Sequence, residues 1–148
     1  MSEVAVRESV TVGARPEEVQ VARAFIGRLL GPSCQWADVA ILLGSELVTN
    51  SVRHSGSAVP GGLVTVTVEA GEDSVRVEVT DRSGDTVPVL LPAVDNEAEG
   101  GRGLWMVEAL ATRWGYERGG GKAKTWFELR ALLQPMQHSA MSDKSGYW

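Results

Sequence analysis

At 148 residues the chain has the length of one ordinary domain, enough for a real core. Its 43% hydrophobic and 22% charged residues mark a globular protein and exclude a disordered one. A net charge of -5 argues against a nucleic-acid binder working through a broad basic surface, so no direct nucleic-acid partner is expected. The single cysteine, Cys34, offers neither a disulfide framework nor a metal cluster and suits a reducing compartment.

Met1 to Val12 is charged and has no long apolar run, so no signal peptide is read there. No apolar stretch reaches membrane-spanning length, and a cytoplasmic protein without a membrane partner is expected. Val4 to Val12 is valine-rich and partly alternating, which predicts an edge strand. Gly13-Ala14-Arg15-Pro16 breaks it, and Pro16 followed by Glu17 and Glu18 predicts a helix start. Val19, Ala22, Phe25, Ile26 and Leu29 then repeat at three and four residues, giving an amphipathic helix to about Leu30. Gly31-Pro32 ends it. Ser33 is a candidate cap for a second helix from about Gln35 to His54. Cys34 and Trp36 read as packing residues.

The end of this second helix carries the first chemistry. Leu42, Leu43 and Leu47 fit one apolar face. Glu46, Asn50 and His54 fall four apart along one edge. A glutamate can take a proton from an attacking hydroxyl, an asparagine carbonyl can hold a hard cation, and Arg53 adds a cation suited to phosphate. A solvated helix edge would show the same residues, so this stretch alone does not decide between the two.

Gly56 to Gly62 reads as a flexible connection. Leu63 to Glu69 and Ser74 to Thr80 alternate around Gly71-Glu72-Asp73 and predict an antiparallel hairpin with one buried face. Asp81 closes the second strand, where a carboxylate is either a turn former or a hydrogen-bond acceptor at the floor of a pocket. Gly84 would let the backbone approach a ring closely. Thr86 to Glu99 lacks periodicity and is long for a connection, as lids and disordered loops are. It leads into Gly100-Gly101-Arg102-Gly103-Leu104 and a helix to about Trp114, ended by Gly115. Glycines feeding a helix N-terminus suit an anion such as phosphate, although the spacing is neither Walker A nor Rossmann. Tyr116 to Arg118 and Thr125 to Leu132 predict a second hairpin around Gly119-Gly120-Gly121, with Lys124 to Leu129 a central strand. Residues 1–133 form the expected domain, and the polar tail at 134–148 reads as disordered.

The order Glu46…Asn50, Asp81-x-Ser83-Gly84, Gly101-x-Gly103 and Thr125-Trp126-Phe127 resembles the ATP-binding domain shared by gyrase B, MutL and two-component histidine kinases. Within that superfamily it is most similar to the small anti-sigma-factor serine kinases common in actinobacteria. The resemblance covers about residues 8 to 132. It implies a Bergerat-type two-layer α/β sandwich, with a mixed, mainly antiparallel sheet covered by helices on one face. It implies ATP and Mg²⁺ as cofactors, with Glu46 as general base and Asn50 as magnesium ligand. Arg53 and His54 would lie near the phosphates, Asp81 on the adenine amine, Gly84 beside the ring and Thr125 in support of adenine. Gly101, Arg102 and Gly103, with Leu104 following, would form the loop over the phosphates.

The implied partners are a sigma factor and a small anti-sigma-factor antagonist, the latter phosphorylated on serine or threonine, and the resemblance leaves room for a homodimer. The sequence departs from histidine kinases in reading Arg-Ser-Gly after Asp81, and no helix with a phospho-accepting histidine precedes the domain. An ATP-binding switch that holds a partner without phosphorylating it remains an alternative, as does an unrelated α/β interaction domain with accidental glycines.

Overall fold

A computed structural model describes residues 4–54, 62–82 and 102–131, without the side chains of residues 4, 5, 54, 82, 102 and 103. The expectations for the 56–62 connection, Gly84, the 86–99 stretch, Gly101 and the tail fall wholly or almost wholly outside these residues.

Five strands and three helices are formed: β1 (Val4–Gly13), α1 (Val19–Leu30), α2 (Ala37–His54), β2 (Leu63–Gly71), β3 (Ser74–Arg82), α3 (Arg102–Leu110), β4 (Arg113–Gly119) and β5 (Lys122–Arg130). They build the expected α/β sandwich around a sheet of order β1-β2-β3-β5-β4. All four pairings are antiparallel, so the parallel component expected of a mixed sheet is absent among the described strands. β1 is an edge strand as its composition predicts, and β5 lies inside the sheet.

Side chains alternate across a strand, so the pairing register sorts the residues of each strand onto two faces. On the inner face Val12, Val64, Val66, Val68, Val75, Val77, Val79, Phe127, Leu129 and Trp114 are buried. Ala22 and Ile26 of α1, Ala40, Leu43, Leu47, Val48 and Val52 of α2, and Leu104 and Val107 of α3 complete this core. The buried stripe of α2 therefore runs 40, 43, 47, 48, 52, the spacing of one helix face. Leu42 lies off that stripe and is exposed, contrary to its expected place beside Leu43 and Leu47. Cys34 and Trp36 pack against the core, as expected. α1 and α2 approach closely at Gly44, where an added Cβ would stand 2.6 Å from the Ile26 Cδ1.

Three element boundaries differ from the sequence reading, each because a backbone bond redirects the chain. Pro16–Glu18 forms a single 3-10 turn before α1. α2 starts at Ala37, and the Trp36 carbonyl accepts from the Ala40 N–H at 2.8 Å, so Trp36 and not Ser33 holds the N-cap position. α3 stops at Leu110: the Ala111 N–H still bonds back to Val107, but the Thr112 N–H bonds to Glu128 of β5 at 2.9 Å. Trp114 and Gly115 are consequently strand residues, not the last turn of a helix and its terminator.

The outer sheet face carries no helix among the described residues, and its own side chains cover it. Arg7, Glu69, Arg76, Glu128 and Arg113 form one row of alternating charge across all five strands. Arg7 pairs with Glu69, Arg76 with Glu78 at 2.8 Å and Glu128 at 2.7 Å, and Arg113 with Glu128 at 3.7 Å. Burial works to lower the pKa of Arg76, but the hydrogen bonds and charges of Glu78 and Glu128 outweigh it and the net shift is upward. Arg76 also stacks 4.2 Å from the centre of the Trp126 ring. Trp126 is only 5% exposed on this face, and its ring lies over Gly115. A Cβ at Gly115 would come within 2.7 Å of that ring. Gly115→Ala is therefore expected to lower stability by about 1–3 kcal/mol through overpacking, read from the urea midpoint, whereas an unchanged midpoint would show that the indole moves aside freely.

Candidate nucleotide site

The inner face is apolar at one end of β3 and polar at the other. Val77 pairs with Val68 and Phe127, and Phe127 with Trp114, beneath the helices. Two steps along, Val79 aligns with Thr125 and Tyr116; two steps further, Asp81 aligns with Ala123 and Arg118. Asp81 is nearly fully buried at 9% exposure, flanked by Val64 on the next strand. Strands alternate apolar and polar residues across their two faces, but here a carboxylate occupies the position continuing the Val75-Val77-Val79 series. A carboxylate placed there must be served by polar groups, because burying its charge unserved is costly.

Both helices bring their functional ends to this region. A Cβ at Gly44 would stand 3.8 Å from the Val77 side chain, and α2 must then deliver the chain to Leu63, beside the Asp81 end of β3. The half of α2 bearing Glu46, Asn50 and Arg53 thus runs toward the polar end of the sheet. α3 leads through Thr112 to the opposite, Glu128 end. Its N-terminal turn, with Arg102, Gly103 and Leu104, therefore points back toward Asp81. The first N–H groups of a helix lack intrahelical acceptors, so this turn offers donors to an anion. Leu104 itself is buried in the core and serves to seat the turn.

Along α2, Glu46 and Asn50 are both half-buried at the border of the apolar stripe, and Arg53 is exposed. The hydroxyl of Ser45 donates to the Leu42 carbonyl at 2.8 Å, and Arg23 of α1 donates to the same hydroxyl at 3.2 Å. Thr49 donates to the Ser45 carbonyl at 2.8 Å. Both hydroxyls around Glu46 are thereby engaged with the helix itself. The Asn50 Oδ1 is different: it is buried and has no hydrogen-bond partner among the described residues. Such an oxygen is costly unless a ligand or an ordered water completes it.

Among the described residues no group of three His, Cys, Asp or Glu side chains could hold a metal ion. Mg²⁺ on a nucleotide needs no such group, since it takes one or two protein oxygens and completes its shell with phosphates and water. The buried Asn50 Oδ1 fits that requirement.

The sequence reading omitted Tyr116. It is half-buried on the inner face directly opposite Thr125. Burial pushes its phenol up in pKa, the Arg118 charge opposes that shift, and the Asp81 charge adds to it. The signal was present in the sequence. Gly120 and Gly121, at φ +62° and +77°, form the two-residue turn of the β4–β5 hairpin, and residues equally far from such a turn must pair.

An uncharacterized protein of Streptomyces coelicolor is 32% identical over 78 residues, which are 53% of this chain and 72% of the relative. The structure of the RsbU and RsbW domains of Rv1364c from Mycobacterium tuberculosis aligns with a TM-score of 0.58 at 22% identity, over 85% of this chain. The present chain spans 32% of the length of that one, so the likeness is one of fold. The histidine kinase domain of a blue-light activated histidine kinase from Erythrobacter litoralis EL346 aligns over 87% of this chain and 65% of its own, at 20% identity and a TM-score of 0.48. Residues 12–129 match the histidine kinase-like ATPase domain, most of the described sheet and all three helices, and the chain belongs to that family.

Proposed function

We propose that the protein is an ATP-dependent serine/threonine protein kinase that acts as an anti-sigma factor and phosphorylates a small anti-sigma-factor antagonist. The observation that carries the reading is the pair on α2. Glu46 and Asn50 stand one turn apart, and the second presents a buried oxygen without a partner among the described residues. Family membership supports the nucleotide, and the motif resemblance to anti-sigma-factor kinases supports the partner class.

In this reading Asp81 accepts from the adenine amine, with Thr125 beside it and Gly84 near the ring. Asn50 would hold Mg²⁺ on the phosphates, with the charges of Arg53 and Arg102, the His54 ring, and the backbone N–H groups of Gly101 and the first turn of α3 beside them. The bound ATP supplies the phosphoryl group. Glu46 accepts the proton of a serine or threonine hydroxyl on the partner as that oxygen attacks. Transfer of this kind asks chiefly for positioning and charge neutralisation, which these residues supply. The domain would comprise residues 1–133.

The test is calorimetry with Mg-ATP on the wild type and on Asp81→Asn. The substitution removes the charge and turns one acceptor into a donor, so affinity is expected to fall about tenfold or more. No heat and no thermal shift with the wild type would sink the nucleotide reading. Tight ATP and partner binding without transfer to a purified antagonist would leave a nucleotide-dependent switch instead of a kinase.

A further inference from the structure

Tyr116 stands across the polar floor from Asp81. It pairs with Thr125, which pairs with Val79, while Asp81, Ala123 and Arg118 form the adjoining row. The floor between carboxylate and phenol is thus made by the methyl of Ala123 and the short hydroxyl of Thr125. Two strand spacings and one two-residue step set the Asp81 and Tyr116 backbones about 12 Å apart. The phenol is half-buried, and like any tyrosine hydroxyl it is an O–H donor at neutral pH; burial first, and then the Asp81 charge, push its pKa further up. Asp81 as a carboxylate only accepts. An acceptor and a donor therefore share the inner face, two strands apart, at the polar end of the sheet.

Resting on the proposal that an adenine nucleotide occupies this site, we infer that Tyr116 is a specificity-determining residue for the base: its O–H donates to a ring nitrogen of the adenine whose amine is held by Asp81. Adenine carries an amino donor and ring-nitrogen acceptors on its edges, which matches this polarity. Guanine in the same pose would set its O6 acceptor against the Asp81 carboxylate. A site built to hydrogen-bond one partner rejects an analogue that leaves its buried groups unserved.

The experiment compares binding of Mg-ATP, Mg-GTP and magnesium tripolyphosphate, which has no base, to the wild type and to Tyr116→Phe. The ring is kept, so packing is conserved, and thermal melting checks the fold. The wild type is expected to prefer ATP over GTP. Tyr116→Phe is expected to weaken Mg-ATP about threefold to tenfold and to leave tripolyphosphate unchanged, so that the preference for ATP over GTP shrinks. Unchanged ATP affinity in the variant, or an equal loss for all three ligands, overturns the inference while the nucleotide site stands. A wild type that binds tripolyphosphate but neither nucleotide, or that binds none of the three, removes the site itself and the inference with it.

Discussion

Under the proposed kinase reading, in which Glu46 would be the general base, Glu46→Gln is expected to lower phosphate transfer by about a hundredfold or more. Mg-ATP affinity should stay close to wild type, because the amide keeps the shape of the side chain on the same half-buried edge of α2. Asn50→Ala provides the contrast. Its carbonyl would act through the metal, so both Mg-ATP affinity and transfer should fall together. The measurement is transfer to a purified antagonist alongside nucleotide affinity for each variant. Normal transfer by Glu46→Gln would remove that residue from the mechanism, and loss of ATP binding by the same variant would recast it as a ligand.

Trp114→Ala is expected to cost about 3–5 kcal/mol of stability. Trp114 is completely buried, pairs with Phe127 on β5, and donates its indole N–H to Glu108 of α3 at 2.6 Å. Truncation empties a large volume and strips Glu108 of a donor. Against a total stability of roughly 5–15 kcal/mol such a loss is a large share. Trp114→Phe is the milder change: it gives up the hydrogen bond together with part of the buried ring volume, at about 1–3 kcal/mol. Urea denaturation measures both. A loss under about 1 kcal/mol for the alanine variant would mean that α3 and the sheet close up over the gap.

Elements whose signal is local were legible in the chain. The alternating valines of β2 and β3 and the glycine turn before β5 each depend on a few neighbouring residues, and each lies where its pattern indicates, whereas on α2 Leu43 and Leu47 keep the expected stripe and Leu42 leaves it. Positions governed by a distant partner were not. Val107, Leu110 and Trp114 fit a helical spacing, and only the bond from Thr112 to Glu128, sixteen residues on, turns the chain into a strand. Ser33 has the chemistry of a cap, but α2 begins four residues later, at Ala37. Asp81 and Thr125 were selected by motif, and the register places them on the same inner face of adjacent strands. Tyr116 was passed over because the tilt of a hairpin toward a site shows only once register is followed across the turn. The chemistry of Gly84 and Gly101 lies outside the described residues.

The outer sheet face has one more consequence. An antiparallel sheet covered by helices on one side commonly leaves its other face to water. Here long side chains cover that face: arginine stems lie over the Trp126 indole, which itself rests on Gly115, and Trp126 and Glu78 are buried with no helix above them among the described residues. Each of these ion pairs contributes at most about 1 kcal/mol at such partial exposure, so their value lies in coverage more than in strength. A fold that shields its own back is portable. A neighbouring domain would then need to make no contact on this face to keep it from water.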